Sequence, residues 1–397
     1  MKLRLLMFGV VGLVAVIATS RRGEAHKPIT SKYTYNDDVF PILQARCARC
    51  HVQGGVAPMS LMTYEEAFPW AESIRAELVA GHMPPATAEQ GFGDVLHAQA
   101  LSPREMDVLL TWASGGNPRG SLDPKLPAVE MVNDWPGGKP DLAITLPSEY
   151  TLTADKMEDT QEFTVATGLD GPRWIRAVDL KPGTPSIVRS AQIIVKGVPD
   201  QVLARWLPGQ DAAPRLAGAG FHLPARAELT VRIRYKKTWS YEGKALNDRS
   251  TVGLYFAESQ AATPLAAVAL ASNEVPTGKG QMFTFAQTLD QDVRAVAISP
   301  DQVPDNVTLQ VEAVRPDGRR TPMIRFAARP DWTRRYWFAE PLTLPRGTRV
   351  EVKGTVTDPD LVAAAFGGPV SPEKSAAGSR LTLALDVVPA AAKPSAP

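Results

Sequence analysis

Both cysteines of the chain lie three positions apart, in the sequence CARCH at residues 47 to 51. Cys47 and Cys50 are followed at once by His51, which completes the pattern Cys-x-x-Cys-His. Two thiols at this spacing can form thioethers with the two vinyl groups of one haem, and the next residue can present its imidazole to the iron. The motif therefore predicts one covalent haem c, attached through Cys47 and Cys50, with His51 as an axial ligand of the iron.

A disulfide between the two cysteines is the alternative interpretation of the same spacing. Redox-active CxxC motifs usually open a helix that follows a strand. Here the preceding sequence, YNDDVFPILQAR, places Val39, Ile42 and Leu43 in helical register, so the motif ends a helix. This order favours haem attachment over disulfide exchange.

The iron of such a haem needs a second axial ligand or an open site. Met83 lies in AGHMPP, where two prolines hold the chain extended and stiff. We therefore predict Met83 as the second axial ligand, with the neighbouring His82 as the competing candidate. Met59 and Met62 have a spacing that suits packing around the haem edge.

Helical segments surround the motif. In SPREMDVLLTWASGG, Ser102 is a predicted N-cap, Pro103 lies in the first turn and Glu105 completes a capping box. Three helices around CxxCH followed by a methionine are typical of a small class I cytochrome c. The sequence thus predicts an all-α cytochrome c domain over residues 33–116, followed by a linker rich in proline and glycine over residues 117–140.

The pattern of hydrophobic residues changes after the linker. From Asp141 onward, apolar and polar residues alternate in short segments separated by turn residues. Short strands at such intervals predict two all-β, jelly-roll-like sandwiches, over residues 141–262 and 263–388. The remaining residues, 389–397, are predicted to be a disordered tail.

The N-terminus and the net charge limit the compartment and the partners. Lys2 and Arg4 precede an apolar run from Leu5 to Ala18, which is shorter than the roughly 20 residues of a membrane span. This pattern predicts a signal peptide over residues 1–25 and a periplasmic or secreted protein; an uncleaved segment would instead anchor the protein to the membrane. No other integral membrane segment is expected, and the net charge of +1 argues against a nucleic-acid partner.

Several longer segments resemble one family. The segments are QGGVAPMSLMTYEEA followed by MPP, and then RWIRAVDLKPG, WLPGQ, VGLYFAE and YWFAEPLTLPRGTRVEV. They are similar to secreted bacterial proteins in which a cytochrome c module precedes a copper type II, ascorbate-dependent monooxygenase-like region. That region is itself similar to peptidylglycine α-hydroxylating monooxygenase. The resemblance covers residues 33 to 388 and implies two jelly-roll domains that face each other across a cleft.

The copper-binding histidines of that family are absent from the matching positions. The resemblance places Arg189 and Ser190 at the family's His-His pair, and Arg234 and Lys236 at its first His-x-His motif. After residue 100 the chain contains one histidine, His222, whereas copper sites of this class are built mainly from imidazole. Copper is therefore not expected. The resemblance implies instead a cationic cleft at Arg189, Arg234 and Lys236, with a solvated polar strand face as the alternative.

These features predict an extracytoplasmic electron-transfer protein that carries one haem c and exchanges electrons with a redox partner protein. Its metal-free double sandwich would bind a partner or a ligand, and no catalytic residue is assigned. One alternative is an enzyme, a copper-dependent monooxygenase that receives electrons from its own haem domain. The other is a binding module, in which the sandwiches hold a ligand and the haem senses a gas or a redox state.

Overall fold

The fold is mainly β, with 14% of the described residues in helices and 42% in strands. The computed structural model describes residues 29–390, except positions 99, 123–125, 199–200, 215–217, 259–262, 277, 279, 305–306 and 358–378. The predicted signal peptide therefore lies outside the described residues, as does the predicted tail from residue 391 onward. Across the described part of the chain, no helix has the length and the hydropathy that a membrane crossing requires.

Short helices form the N-terminal layer. A π-helical turn, Tyr35–Val39, leads into α1 (Phe40–Arg46), and the other helices are α2 (Tyr64–Ala67), α3 (Ala71–Val79) and α4 (Pro103–Ser114), with a 3-10 turn at Phe68–Trp70. The capping box of α4 is present, because the side chains of Ser102 and Glu105 each accept a hydrogen bond from the other residue's backbone N–H. Tyr35 and Trp112 are fully buried in the core between these helices.

The prediction of an all-α class I cytochrome c domain is wrong. Residues 86–98, here called the strap, leave the helical layer and pack on the second sandwich. Val95 forms a β-bridge with Phe338, and the backbone N–H of Glu89 donates to the carbonyl of Arg325 at 2.8 Å. Phe338 and Arg325 lie on strands at the edges of their sheets. The free backbone groups of these edge strands form hydrogen bonds with the strap, which has no regular secondary structure of its own.

A glycine allows the strap to lie close to the sandwich. Gly93 has a φ of +77°, and a Cβ atom at this position would collide with the carbonyl group of Met323. Glycine satisfies both demands, since it tolerates positive φ and has no side chain. Within the described residues, the helical layer and the second sandwich are therefore joined through the strap.

The first sandwich contains strands β1–β11. In chain order their bounds are Leu142–Thr145, Tyr150–Leu152, Glu158–Ala166, Arg173–Lys181, Val188–Val195, Val202–Trp206, Ala219–Leu223, Glu228–Lys236, Leu246–Asp248, Thr251–Phe256 and Thr263–Pro264. One sheet has the order β1-β10-β4-β7-β11, another has the order β3-β8-β5-β6, and β2 pairs with β9. Alternation along β8 buries Leu229, Val231, Ile233 and Tyr235 in the core and leaves the residues between them nearer the solvent.

The second sandwich contains strands β12–β19. In chain order their bounds are Ala266–Val275, Met282–Thr288, Val293–Gln302, Val307–Val314, Arg320–Ala328, Tyr336–Leu344, Arg349–Val356 and Ser379–Pro389. The two sheets have the orders β12-β19-β14-β17 and β13-β18-β15-β16. Fully buried aliphatic side chains, among them Leu309, Val352 and Leu383, fill the space between the sheets.

Candidate functional site

The CARCH segment lies at the end of α1, where Cys47 is the C-cap residue. Both cysteines are free thiols. Burial raises the pKa of Cys47 to about 12 and that of Cys50 to about 11. Both sulfurs are therefore protonated at neutral pH, which makes them weak nucleophiles.

The other residues predicted around this motif lie near it. His51 Nδ1 is 3.2 Å from the carbonyl oxygen of Met59, and burial lowers the pKa of this imidazole. Met83 and Met59 are partly buried beside the core that Cys47 also contacts, whereas His82 Nδ1 is 3.1 Å from Glu77 Oε2. The structure thus brings Cys47, His51, Met59 and Met83 to one region of the helical layer.

The prediction of a covalent haem c is corrected together with the domain that was expected to hold it. The described residues form no all-α cytochrome fold. Among the residues that the structure describes, no group of three or more His, Cys, Asp and Glu side chains could hold a metal ion. Binding roles for Cys47, Cys50, His51 and Met83 rest on the sequence motif alone and stay predictions.

The chemical state of the cysteines provides a direct check of this correction. If the correction holds, the purified protein has the mass of the polypeptide alone, and two thiols per chain react with a thiol reagent after reduction and denaturation. Intact-mass spectrometry and thiol titration measure both quantities. Added mass on the chain together with two unreactive cysteines would contradict the correction, and Cys47→Ala and Cys50→Ala variants would then assign the modified sulfurs.

The cations of the predicted cleft lie on neighbouring strands, β5 and β8. Arg234 forms ion pairs with Glu158 at 3.2 Å and with Asp331 at 2.5 Å. Lys236 Nζ lies 3.5 Å from Glu158, and Arg189 donates to the carbonyls of Val56 and Lys236. All three side chains thus have protein partners, and Arg189 joins the first sandwich to the helical layer.

Another set of arginines lines the space between the two sandwiches, and the sequence analysis did not identify it. A cavity of about 60 Å³ is bordered by Arg176 on β4, Arg205 on β6, and Arg334 and Arg335 immediately before β17. Each sandwich contributes two of these arginines. In the sequence, the one sign of this arginine set is the Arg-Arg dipeptide at 334–335, which directly precedes the apolar start of a strand.

Arg335 connects the two sandwiches, and each of its three guanidinium nitrogens donates a hydrogen bond to the protein. Its Nε donates to Asp386 on β19 at 2.7 Å, and its two Nη atoms donate to the carbonyls of Leu203 and Val202 at 2.8 Å. The guanidinium also lies 5.3 Å from the ring of Phe221 and 5.4 Å from that of Trp337. This cation therefore fixes the relative position of the walls of the cavity.

Arg334 is equally buried but lacks a carboxylate partner. The residue is 7% exposed, and its one side-chain hydrogen bond within the described residues goes from Nη2 to the carbonyl of His97 at 3.0 Å. Asp211 is close enough to stabilise the charge, but its two carboxylate oxygens contact Arg49 at 2.7 Å and His97 at 3.3 Å. Burial lowers the pKa of Arg334, yet a guanidinium stays charged at neutral pH.

Two further guanidinium groups line the same cavity and have N–H groups without a partner in the described residues. Arg176 is half-buried over the ring of Tyr255 at 4.9 Å, and it has no ion pair or side-chain hydrogen bond in the part of the chain that the structure describes. Arg205 pairs with Asp301 through Nη2, but its buried Nε has no partner. Together with Arg334, these groups leave the cavity with an excess of positive charge and of N–H donors.

Asp179 on the wall of this cavity forms no ion pair with the arginines among the described residues, although its carboxyl is mostly ionised at pH 7. It is buried and accepts a hydrogen bond from the backbone N–H of Leu180 at 2.8 Å. Burial raises the pKa of this carboxyl to about 6, whereas a close ion pair would lower it. The carboxyl is therefore partly protonated in weakly acidic solution.

The raised pKa of Asp179 predicts a pH-dependent effect on stability. The folded protein holds this proton more tightly than the unfolded chain, so the contribution of Asp179 to stability is complete below its ordinary pKa and is lost as the pH rises through about 6. Asp179→Asn should remove a penalty of about 2 to 3 kcal/mol at pH 8 and little at pH 4. In thermal unfolding, the Tm of the Asp179→Asn variant relative to that of the wild type should increase from pH 4 to pH 8.

The exposed pair of Lys156 and Asp159 supplies the control for this prediction. The Lys156 ammonium holds the pKa of Asp159 well below its usual range. Asp159→Asn should therefore lower Tm at neutral pH, which is the opposite sign. A Tm difference for Asp179→Asn that does not vary from pH 4 to pH 8 would show that Asp179 has no raised pKa.

Comparisons with known proteins do not show a family for this chain. No family model matches the chain, and no curated protein matches it. Solved structures with partial similarity include the major capsid protein P2 from bacteriophage PM2, at 10% identity and a TM-score of 0.28 over 62% of this chain and 96% of that one. The PBCV-1 virus capsid matches at 8% identity and a TM-score of 0.24, over 61% of this chain and 94% of that one.

The expected family resemblance is the prediction that has to be corrected. The resemblance to a cytochrome c fused to a copper monooxygenase-like region is corrected, because the described residues form a mainly β fold without an all-α cytochrome domain. TM-scores this low carry no argument about the fold or the function of this chain. Any functional conclusion must therefore come from the geometry of the site itself.

Proposed function

We propose that this protein is a ligand-binding protein that holds a carboxylate group in the arginine-lined cavity between its two sandwiches. The observation that carries the proposal is the buried guanidinium of Arg334, which has no carboxylate partner in the described residues. The guanidinium lies 5.1 Å from the ring of Tyr336, but a buried charge without an ion pair is still costly, by several kcal/mol in typical proteins. An anion bound at Arg334 would offset this cost.

The remaining charges of the cavity support an anionic ligand. Asp301 pairs with Arg205, and Asp386 pairs with Arg335. Arg176 and Arg334 keep no such partner, so two cations face the cavity. A bound carboxylate could accept hydrogen bonds from Arg334 and from Arg176, and interactions of this charge-assisted kind are roughly twice as strong as neutral ones.

The size of the cavity favours a small anionic group. A volume of about 60 Å³ corresponds to roughly two water molecules of about 30 Å³ each, which is the scale of a carboxylate. The planar fork of a guanidinium also matches the two oxygens of a carboxylate. A small carboxylate therefore fits both the volume and the donor geometry.

Export and electron transfer, which the sequence also predicts, remain separate proposals. An exported protein would bind its ligand in the periplasm or in the medium. Electron transfer to a redox partner protein depends on the CARCH motif, and its first test is the mass and thiol measurement on Cys47 and Cys50. Neither proposal is required for carboxylate binding at Arg334.

Calorimetric titration tests the proposed function. Sodium acetate, added at pH 7 and at constant ionic strength, should bind saturably with one site per chain, whereas sodium chloride and ethanol should not. A response to acetate that equals the response to chloride would show a general salt effect and would refute a carboxylate site.

A further inference from the structure

Resting on the proposed function, we infer that the ligand is an aromatic carboxylate whose ring lies in a second cavity beside the first. This second cavity has a volume of about 220 Å³. It shares His97, Gln210, Asp211 and Arg334 with the carboxylate cavity. The guanidinium of Arg334 thus lies at the junction of the two spaces, where a carboxylate joins the body of its molecule.

Stiff apolar residues form part of the wall of the second cavity. Pro84, Pro85, Leu207, Pro208 and Trp332 line it. Trp332 ends a 3-10 turn, Pro330–Trp332, only two residues before Arg334, so an aromatic surface adjoins the cation. Flat, stiff surfaces of this kind suit a planar ring, because such a ring can stack on them without ordering flexible side chains.

The charged residues of this cavity already have partners. Arg46 pairs with Glu105 at 2.9 Å, and Arg49 pairs with Asp211 at 2.7 Å. Arg49 also donates to the carbonyl of Gly209 at 2.8 Å, which fixes the loop that forms one wall. The body of the ligand therefore needs no charge of its own to balance these residues, and its one required charge is the carboxylate at Arg334.

The volume limits the size of the ligand body. Apolar cavities of about 150 Å³ are known to hold one benzene ring. A space of about 220 Å³ accordingly takes a single ring with a small substituent. A long aliphatic chain would lose more conformational entropy on binding than a rigid ring of similar area.

The experiment compares acetate, benzoate and benzyl alcohol by calorimetry on the full chain. Benzoate should bind at least about tenfold more tightly than acetate, because burial of a ring adds apolar area. Benzyl alcohol, which has the ring but no charge, should bind far more weakly than benzoate. Trp332→Ala should reduce the affinity for benzoate about fivefold or more and leave the affinity for acetate unchanged.

Trp239→Ala is the matched control, since Trp239 is 61% exposed on the first sandwich and lines neither cavity. It should change neither affinity, and a Trp332→Leu variant replaces Trp332→Ala if the latter unfolds. If acetate binds and the affinity for benzoate is equal to or lower than the affinity for acetate, this inference is wrong and the proposed function still holds. Loss of both affinities in Trp332→Ala would also overturn it, whereas failure of the wild type to bind either carboxylate would refute the proposed function.

Discussion

The Arg335→Ala variant is expected to lose about 3 to 5 kcal/mol of unfolding free energy. Removal of the guanidinium would leave Asp386, whose side chain is 7% exposed, as a buried carboxylate without its cation. It would also remove the hydrogen bonds to the carbonyls of Leu203 and Val202, which connect the second sandwich to the first. Urea denaturation of the variant and of the wild type measures the difference.

A surface arginine provides the control for this prediction. Arg232 pairs with Glu162 at 2.9 Å, but both side chains are about half exposed. Arg232→Ala should therefore change the unfolding free energy by less than about 1 kcal/mol. The double variant Arg335→Met with Asp386→Leu should recover much of the stability, because it removes both buried charges. Equal effects of Arg335→Ala and Arg232→Ala would show that Arg335 does not hold the sandwiches together.

The Arg334→Gln variant is expected to lose carboxylate binding by about 30-fold to 100-fold. This factor corresponds to about 2 to 3 kcal/mol, the range for a buried hydrogen bond to a charged group. The same variant should not be less stable than the unliganded wild type, because glutamine removes a buried cation that lacks an ion pair. Loss of binding without loss of stability separates a ligand-binding role from a structural role.

Arg315→Gln is the matched control for Arg334→Gln. Arg315 likewise donates one hydrogen bond to a backbone carbonyl, that of Thr343 at 3.0 Å, and it does not line the cavity. Its replacement should leave the affinity for acetate unchanged. If Arg334→Gln binds acetate as tightly as the wild type does, the anion is held elsewhere.

Local sequence patterns predicted those features that depend on neighbouring residues. The capping box of Ser102 and Glu105 is a contact over three positions, and the structure confirms it. Likewise, the alternation in β8 follows from the strand period alone. The strap has no period of its own, and its bridge joins Val95 to Phe338, more than 200 positions along the chain. Such a contact is set by the free edge of a sheet and not by the residues of the strap.

The candidate site could not be predicted for the same reason. Arg176, Arg205 and Arg334 lie on three separate segments, which meet only when the two sandwiches pack together. The family resemblance directed attention to Arg189, Arg234 and Lys236, because it placed former metal ligands there. In the structure these three cations have protein partners, whereas the less conspicuous Arg334 lacks a carboxylate.

A crystal structure of the protein with 4-bromobenzoate tests the central claim most directly, because the anomalous signal of bromine fixes the position and orientation of the molecule. We predict one molecule per chain, with its carboxylate within hydrogen-bond distance of Arg334 and its bromine directed into the cavity beside Trp332. Bromobenzoate bound at another position would contradict the proposal. A structure determined at saturating concentration that shows no bound molecule, and a protein carboxylate paired with Arg334, would contradict it as well.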